Sequence, residues 1–314
     1  MRLIFIGTGD IGLPVLGSLV GSPGYELVGV VTQPDKPVGR AQTIQPPPIK
    51  AALAQTDVPI LQPDRIKREE SIAAIRKLAP DVIVVMAYGQ IVPRAILEIP
   101  CLACLNLHAS LLPRHRGAAP IQAAILAGDT ESGITVMYMD EGIDTGDILL
   151  QTRIEITATE TGGSLHDRLG SIAPAALHDA LSQLEKGTAP RIQQDSSTAT
   201  YARKLERQDG LIDWSQPAAS IERRIRAFDP WPGTFAILRD TTGRSQNLKI
   251  FSASAIETPN ALPGVIRSQE GLVLVGTQKG ALSLGDVQLE GKRRMPATDF
   301  LRGHPGAEFV VISS

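Results

Sequence analysis

Through the first half of the chain, short apolar runs alternate with stretches whose apolar residues recur at helical spacing. Residues 3–6, 27–31, 82–86, 102–107 and 134–137 read as strands, and helices are predicted at 14–20, 48–55, 69–78, 93–98 and 120–127. Such strand–helix alternation implies a mostly parallel sheet covered by helices on both faces, the doubly wound α/β class. Residues 165–184 read as a longer helix, ended by Lys186 and a glycine stop at Gly187.

A polar stretch rich in Gln, Ser and Thr follows at 188–197, and it reads as part of a linker. Beyond it the pattern changes to one helix at 218–228 and short strands at 234–238, 248–255, 264–266, 272–276 and 281–289. Short strands broken by Gly and Pro suggest a small β-barrel. With 314 residues, two domains are the natural count. The expected division is a catalytic domain over 1–188, a linker over 189–206 and a barrel domain over 207–314.

Composition narrows the class without deciding it. A chain 43% hydrophobic and 20% charged is ordinary globular material. No apolar run approaches the length of a bilayer span, and the first strand enters a glycine turn without a basic leader. A cytoplasmic protein with no membrane partner is therefore expected. The net charge of −2 argues against indiscriminate nucleic-acid binding. It is uneven, with 13 Lys+Arg against 11 Asp+Glu over 207–314 and 18 against 22 before that.

Cys101 and Cys104 form a lone Cys-x-x-Cys without the second pair a structural zinc would want. Core packing in the strand leading to Asn106 is the expectation for both. Gly7-Thr8-Gly9-Asp10-Ile11-Gly12 fits the dinucleotide pattern Gly-x-Gly-x-x-Gly between a strand and a helix. A nicotinamide enzyme would also want an acid ending the second strand, where Thr32-Gln33 stands instead. A phosphate-contacting turn and a sharp strand-to-helix corner both remain open. Between Gln33 and Pro48 lies a proline-rich loop with Lys36 and Arg40 near its middle. A loop of that length without structure is uncommon unless it is functional or disordered.

The richest chemistry sits at Asn106-Leu107-His108, followed 36 residues after His108 by Asp144 in a Gly- and Asp-rich segment, 139–147. Residues two apart on a strand share a face, so an amide and an imidazole project side by side. Ligands of open α/β sheets bind beyond the carboxyl ends of the strands. An amide donor, an imidazole and a carboxylate gathered there are the parts needed for acyl transfer. Gly142 and Gly146 would let backbone approach a ligand, and Asp140, Glu141 and Asp147 read as solvated or capping acids rather than catalysts, with no second ligand set to support a metal. Arg114, His115 and Arg116 form a small basic patch beside the site.

Several segments together resemble the methionyl-tRNA formyltransferase family. They are Asn106 to Pro113, Arg116 to Gln122, 139–147, Thr32 to Arg40, Val85 to Pro93, Ile212 to Ser215 and Ile225 to Pro232. The resemblance covers nearly the whole chain. It implies a formyltransferase-type, Rossmann-like sheet followed by an OB-like barrel that binds tRNA. The implied activity moves a formyl group from 10-formyltetrahydrofolate to the α-amine of initiator methionyl-tRNA, with no metal and as a monomer. Asn106, His108 and Asp144 would be catalytic. Ser110, Leu111, Leu112 and Pro113, with Tyr88 and Gly89, would contact folate, while Arg40 and Lys36 would meet the tRNA acceptor stem. The chain departs from the family at Gly9, usually Pro, at His115, usually Trp, and at Ala41-Gln42-Thr43, usually more basic. Alternatives on the same three residues are formyl transfer to an amino sugar and hydrolysis of formyl-folate. A nicotinamide-dependent dehydrogenase and a nucleic-acid-binding module stand further off.

Overall fold

The structure, a computed structural model, describes residues 1–39, 41–258 and 262–311. The chain forms two compact units. The first comprises 1–120, 131–155 and 166–203, and the second 121–130, 156–165 and 204–314.

The first unit is built on a seven-stranded sheet: β1 (Arg2–Gly7), β2 (Glu26–Val31), β3 (Ile60–Leu61), β4 (Val82–Met86), β5 (Ala103–His108), β6 (Glu131–Tyr138) and β7 (Ile148–Glu155), in the order β7-β6-β5-β4-β1-β2-β3. The pairings among β5, β4, β1, β2 and β3 are parallel, and β6 and β7 add an antiparallel edge. Every residue of β4 is buried, as a parallel strand covered on both faces requires. Helix α1 (Leu13–Leu19) follows β1, and α2 (Pro48–Ala52) precedes β3. Helix α3 (Glu69–Lys77) leads into β4, with acids in its first turn and bases in its last, matching its dipole. Its Ile72 and Ile75 pack in a core with Ile4, Ile6, Val31 and Ile83. The remaining helices of the first half are α4 (Arg94–Leu97) and α5 (Pro120–Ala127), and α6 (Gly162–Glu185) contains the expected long helix.

Three expectations change. The strand before Asn106 starts at Ala103, so Cys101 is exposed and only Cys104 is core, its Sγ 3.8 Å from Met139 Sδ. Burial pushes the Cys104 thiol up to about 12. The proline-rich loop is a small hairpin, Lys36–Val38 paired with Thr43–Gln45. The stretch expected as a linker is bound into the first unit through residue 203. There Tyr201 and Ala202 pair in parallel with Arg116 and Gly117, and Ile192 bridges Ile148.

The Gly7–Gly12 turn is a corner. A side chain at Gly7 would meet Phe5 Cε1 at 2.6 Å and Met86 O at 2.8 Å. The Thr8 and Gly9 N–H groups both donate to Ala87 O at 3.2 Å, so these two donors are spent on the protein. This removes the main support for the dehydrogenase reading.

The second unit is β-rich. Helix α7 (Ala218–Ala227) lays Ala218, Ile221 and Ile225 against a core that also takes Trp214, Phe300 and Phe309. Two antiparallel sheets, of five and four strands, share that core. The expected strands 248–255 and 281–289 each break and change sheet, at Phe251-Ser252 and at Gly285. The breaks meet, with Gly285 N donating to Ser252 O at 2.9 Å. A glycine at such a corner lets the two backbones come together.

Candidate active site

Strand β5 ends at the site. Its parallel pairing with β4 sets Asn106 beside Val85, and its antiparallel pairing with β6 sets Asn106 opposite Met137 and His108 opposite Thr135. Asn106 is half-buried and His108 is buried. The β6–β7 connection brings in Asp144, at a left-handed φ of 53°.

The three polar side chains expected from the sequence do converge. Asn106 Nδ2 donates to Asp144 Oδ1 at 3.2 Å, and His108 Nδ1 lies 3.6 Å from Asp144 Oδ2. The Gly117 N–H donates to the same Oδ2 at 2.8 Å. On the far side of the imidazole, Nε2 is 2.9 Å from His115 O. A carbonyl oxygen can only accept, so Nε2 carries a hydrogen and the ring orientation is set. Nδ1, beyond hydrogen-bonding distance of Asp144, is the ring edge left for a reactant.

The 110–117 segment is fixed by its own hydrogen bonds. Ser110 Oγ donates to Arg114 O at 2.7 Å. Thr135 Oγ1 donates to Ser110 O at 2.6 Å and accepts from Leu112 N at 3.2 Å, while Gln151 Nε2 donates to Leu112 O at 2.9 Å. Leu112 is buried, leaving Leu111 and Pro113 partly open.

Of the remaining expected residues, Gly89 sits at φ 84° on the turn after β4. Tyr88 is in the apolar core, its ring buried and its phenol pushed up to about 12 by that burial. Its backbone oxygen accepts from Thr8 Oγ1 and Gln33 Nε2. Lys36 is exposed, its Nζ donating to Gln33 Oε1 at 2.6 Å. Arg40 lies outside the described residues.

The basic patch at 114–116 is a correction. Arg114 is exposed, but His115 and Arg116 are buried, and Arg116 donates from Nε and Nη2 to Gln194 Oε1 at 3.1 and 2.8 Å. Gln194, absent from the sequence reading, sends its amide nitrogen to Asp144 O and Gly146 O. The acids of the loop also have protein partners: Asp140 holds Gly142 N and Thr145 Oγ1, and Asp147 lies 3.8 Å from Arg191. A side chain at Gly146 would run into Tyr138 O.

An amide donor, an imidazole and a carboxylate at the end of a parallel strand suit the transfer of an acyl-type group. Residues 1–181 match the family described as formyl transferase, and residues 204–305 match its C-terminal domain. A methionyl-tRNA formyltransferase from Akkermansia muciniphila is 46% identical over 313 residues, covering 99% of each chain. The chain therefore belongs to the methionyl-tRNA formyltransferase family. Solved structures share the fold. WlaRD, a sugar 3N-formyl transferase solved in the presence of dTDP and 5-N-formyl-THF, matches with a TM-score of 0.65 at 17% identity, over 93% of this chain and 99% of that one. HypX from Aquifex aeolicus in complex with tetrahydrofolic acid matches with a TM-score of 0.62 at 18% identity. That match covers 96% of this chain, which spans about half of HypX (47%).

Proposed function

We propose that the chain transfers the formyl group of 10-formyltetrahydrofolate to the α-amine of initiator methionyl-tRNA, with Asn106, His108 and Asp144 as its catalytic residues. The observation that carries this is the convergence of all three side chains, with Nδ1 of His108 making no hydrogen bond among the described residues. Near-identical length to the Akkermansia relative supports the tRNA substrate, and the folate-containing structures support the co-substrate.

The nucleophile is the neutral amine, available without a strong base because α-amines titrate near 7.7–8.0, as a rough model value. Its lone pair attacks the formyl carbon and the carbonyl pair moves to oxygen. Asn106 Nδ2 and a protonated Nδ1 of His108 donate to that oxyanion. Asp144 takes the proton from the new ammonium and delivers it to N10, which leaves as the carbonyl reforms. Losing one oxyanion donor typically costs about 2.7–4 kcal/mol, or roughly 10²–10³ in rate. The partly open edge at Leu111 and Pro113, with the Gly89 main chain, would face the folate. Lys36 on the hairpin, and Arg40, would meet the acceptor stem.

The experiment offers 10-formyltetrahydrofolate with charged initiator tRNA, charged elongator tRNA, an amino sugar nucleotide and water, and follows the one-carbon unit. Formylated initiator tRNA is expected as the main product. Free formate or a formylated sugar in its place would move the assignment to one of the alternative reactions.

A further inference from the structure

We infer that Gln194 is a positioning residue for Asp144, acting with Arg116 as a clasp on the acid-bearing loop; this rests on the catalytic reading of Asp144 given above. Gln194 lies in a stretch whose composition is that of a linker, yet its side chain is buried.

The clasp has a fixed polarity. A guanidinium can only donate, and Arg116, 2% exposed, directs Nε and Nη2 to the single Oε1 of Gln194. The amide oxygen is thereby committed to Arg116, so the NH2 group must point the other way. There it donates to Asp144 O at 2.9 Å and to Gly146 O at 2.7 Å. Two carbonyls of one short loop are gripped by one amide, on either side of Thr145.

The loop needs such a grip. Asp144 holds φ at 53°, a conformation that costs an L-residue energy unless its surroundings impose it. The same backbone turn aims the carboxylate back at Asn106, His108 and the Gly117 N–H. Released from Gln194, the residue would relax toward negative φ and carry its carboxylate off the imidazole. Arg116 adds a second link, because it neighbours Gly117, whose N–H holds the carboxylate itself. The clasp thus fixes both ends of Asp144, its main chain through Gln194 and its side chain through the strand-paired 116–117 segment.

Gln194→Glu is the test substitution. It keeps the length and gives Arg116 a charged acceptor, but it replaces the donor with an oxygen that repels both carbonyls. The expected result is a kcat lower by roughly 10- to 100-fold with KM for both substrates within about twofold, the mark of an effect confined to the transition state. In the Asp144→Asn background the same change should cost nothing further, since residues acting as one unit are non-additive. Amide hydrogen exchange gives a reading independent of turnover: Gly117 N–H should lose protection in Q194E while the amides of β4 and β5 keep theirs. The milder Q194N, too short to span both partners, should move Gly117 the same way. Full Gly117 protection in both variants, or equal kcat losses in both backgrounds, would overturn the clasp. Wild-type turnover by Asp144→Asn alone would instead sink the catalytic reading, leaving the exchange result to decide the positioning.

Discussion

Asp144 accepts the Gly117 backbone N–H at 2.8 Å, so the acid is tied to the segment that follows the Asn106–His108 strand. Gly117 cannot easily be anything else. Its φ is 110°, and a side chain there would stand 2.6 Å from Ala202 O. Gly117→Ala should therefore push the 116–117 segment off its partner strand, with strain of about 1–3 kcal/mol. Steady-state kinetics should show a kcat loss on the order of tenfold or more, and thermal melting a lower midpoint. A variant with unchanged turnover would mean the bond is incidental.

Removing the amide donor tests the oxyanion assignment directly. Asn106→Ala should lower kcat by about 10²–10³ while leaving folate affinity near its starting value. Single-turnover formylation with saturating substrates is the measurement, and a loss below about threefold would exclude Asn106 from the reacting centre.

Thr135 offers a different outcome, because its hydroxyl supports the 110–113 turn rather than the chemistry. Thr135→Val strands the Ser110 carbonyl and the Leu112 N–H, at about 1–3 kcal/mol for buried groups left unpaired. The folate KM should rise more than kcat falls. Equal effects on both would place the turn in the transition-state machinery.

Arg40→Ala is expected to raise the tRNA KM about tenfold, to leave folate affinity alone and to reduce the slope of log KM against log salt by about one ion. An unchanged salt slope would take Arg40 out of tRNA recognition.

The two thiols and Asp81 give readings away from the site. Cys101 is exposed but its thiol is raised by its hydrogen bond to Asp81, whereas burial holds Cys104 near 12. One equivalent of maleimide should react, faster as pH rises, and the second only after unfolding. The Asp81 carboxyl is lowered, chiefly by the Arg2 backbone N–H at 2.7 Å. A depressed carboxylate stabilises the fold above its ordinary value of 3.8 and loses that contribution as pH falls through the folded value. Melting temperature followed from neutral pH downward should accordingly fall less steeply in Asp81→Asn than in the parent.

The legible parts of this fold were those with a strong local period. The runs at 3–6, 27–31 and 82–86 became β1, β2 and β4 because buried parallel strands read as unbroken apolar segments. The β7 strand escaped because Gln151, Thr152 and Arg153 are polar residues on an antiparallel edge, where period-two alternation is faint. In the site, Asn106 and His108 were readable from their spacing on one strand, and Asp144 from the glycines around it. Gln194 and Thr135 were not, since a buried polar side chain is identified by its partners, and those lie 50 and 25 residues away in Asp144 and Ser110. The apparent basic patch failed for the same reason: Arg116 spends its charge inward on Gln194.

The corner after β1 has a consequence for inhibitor discovery. Because Ala87 O already takes the amides of Thr8 and Gly9, these two donors tie the exits of β1 and β4 together instead of facing a phosphate. Compounds elaborated from adenosine diphosphate scaffolds, the natural choice from the glycine spacing alone, would meet two amides that are already bonded.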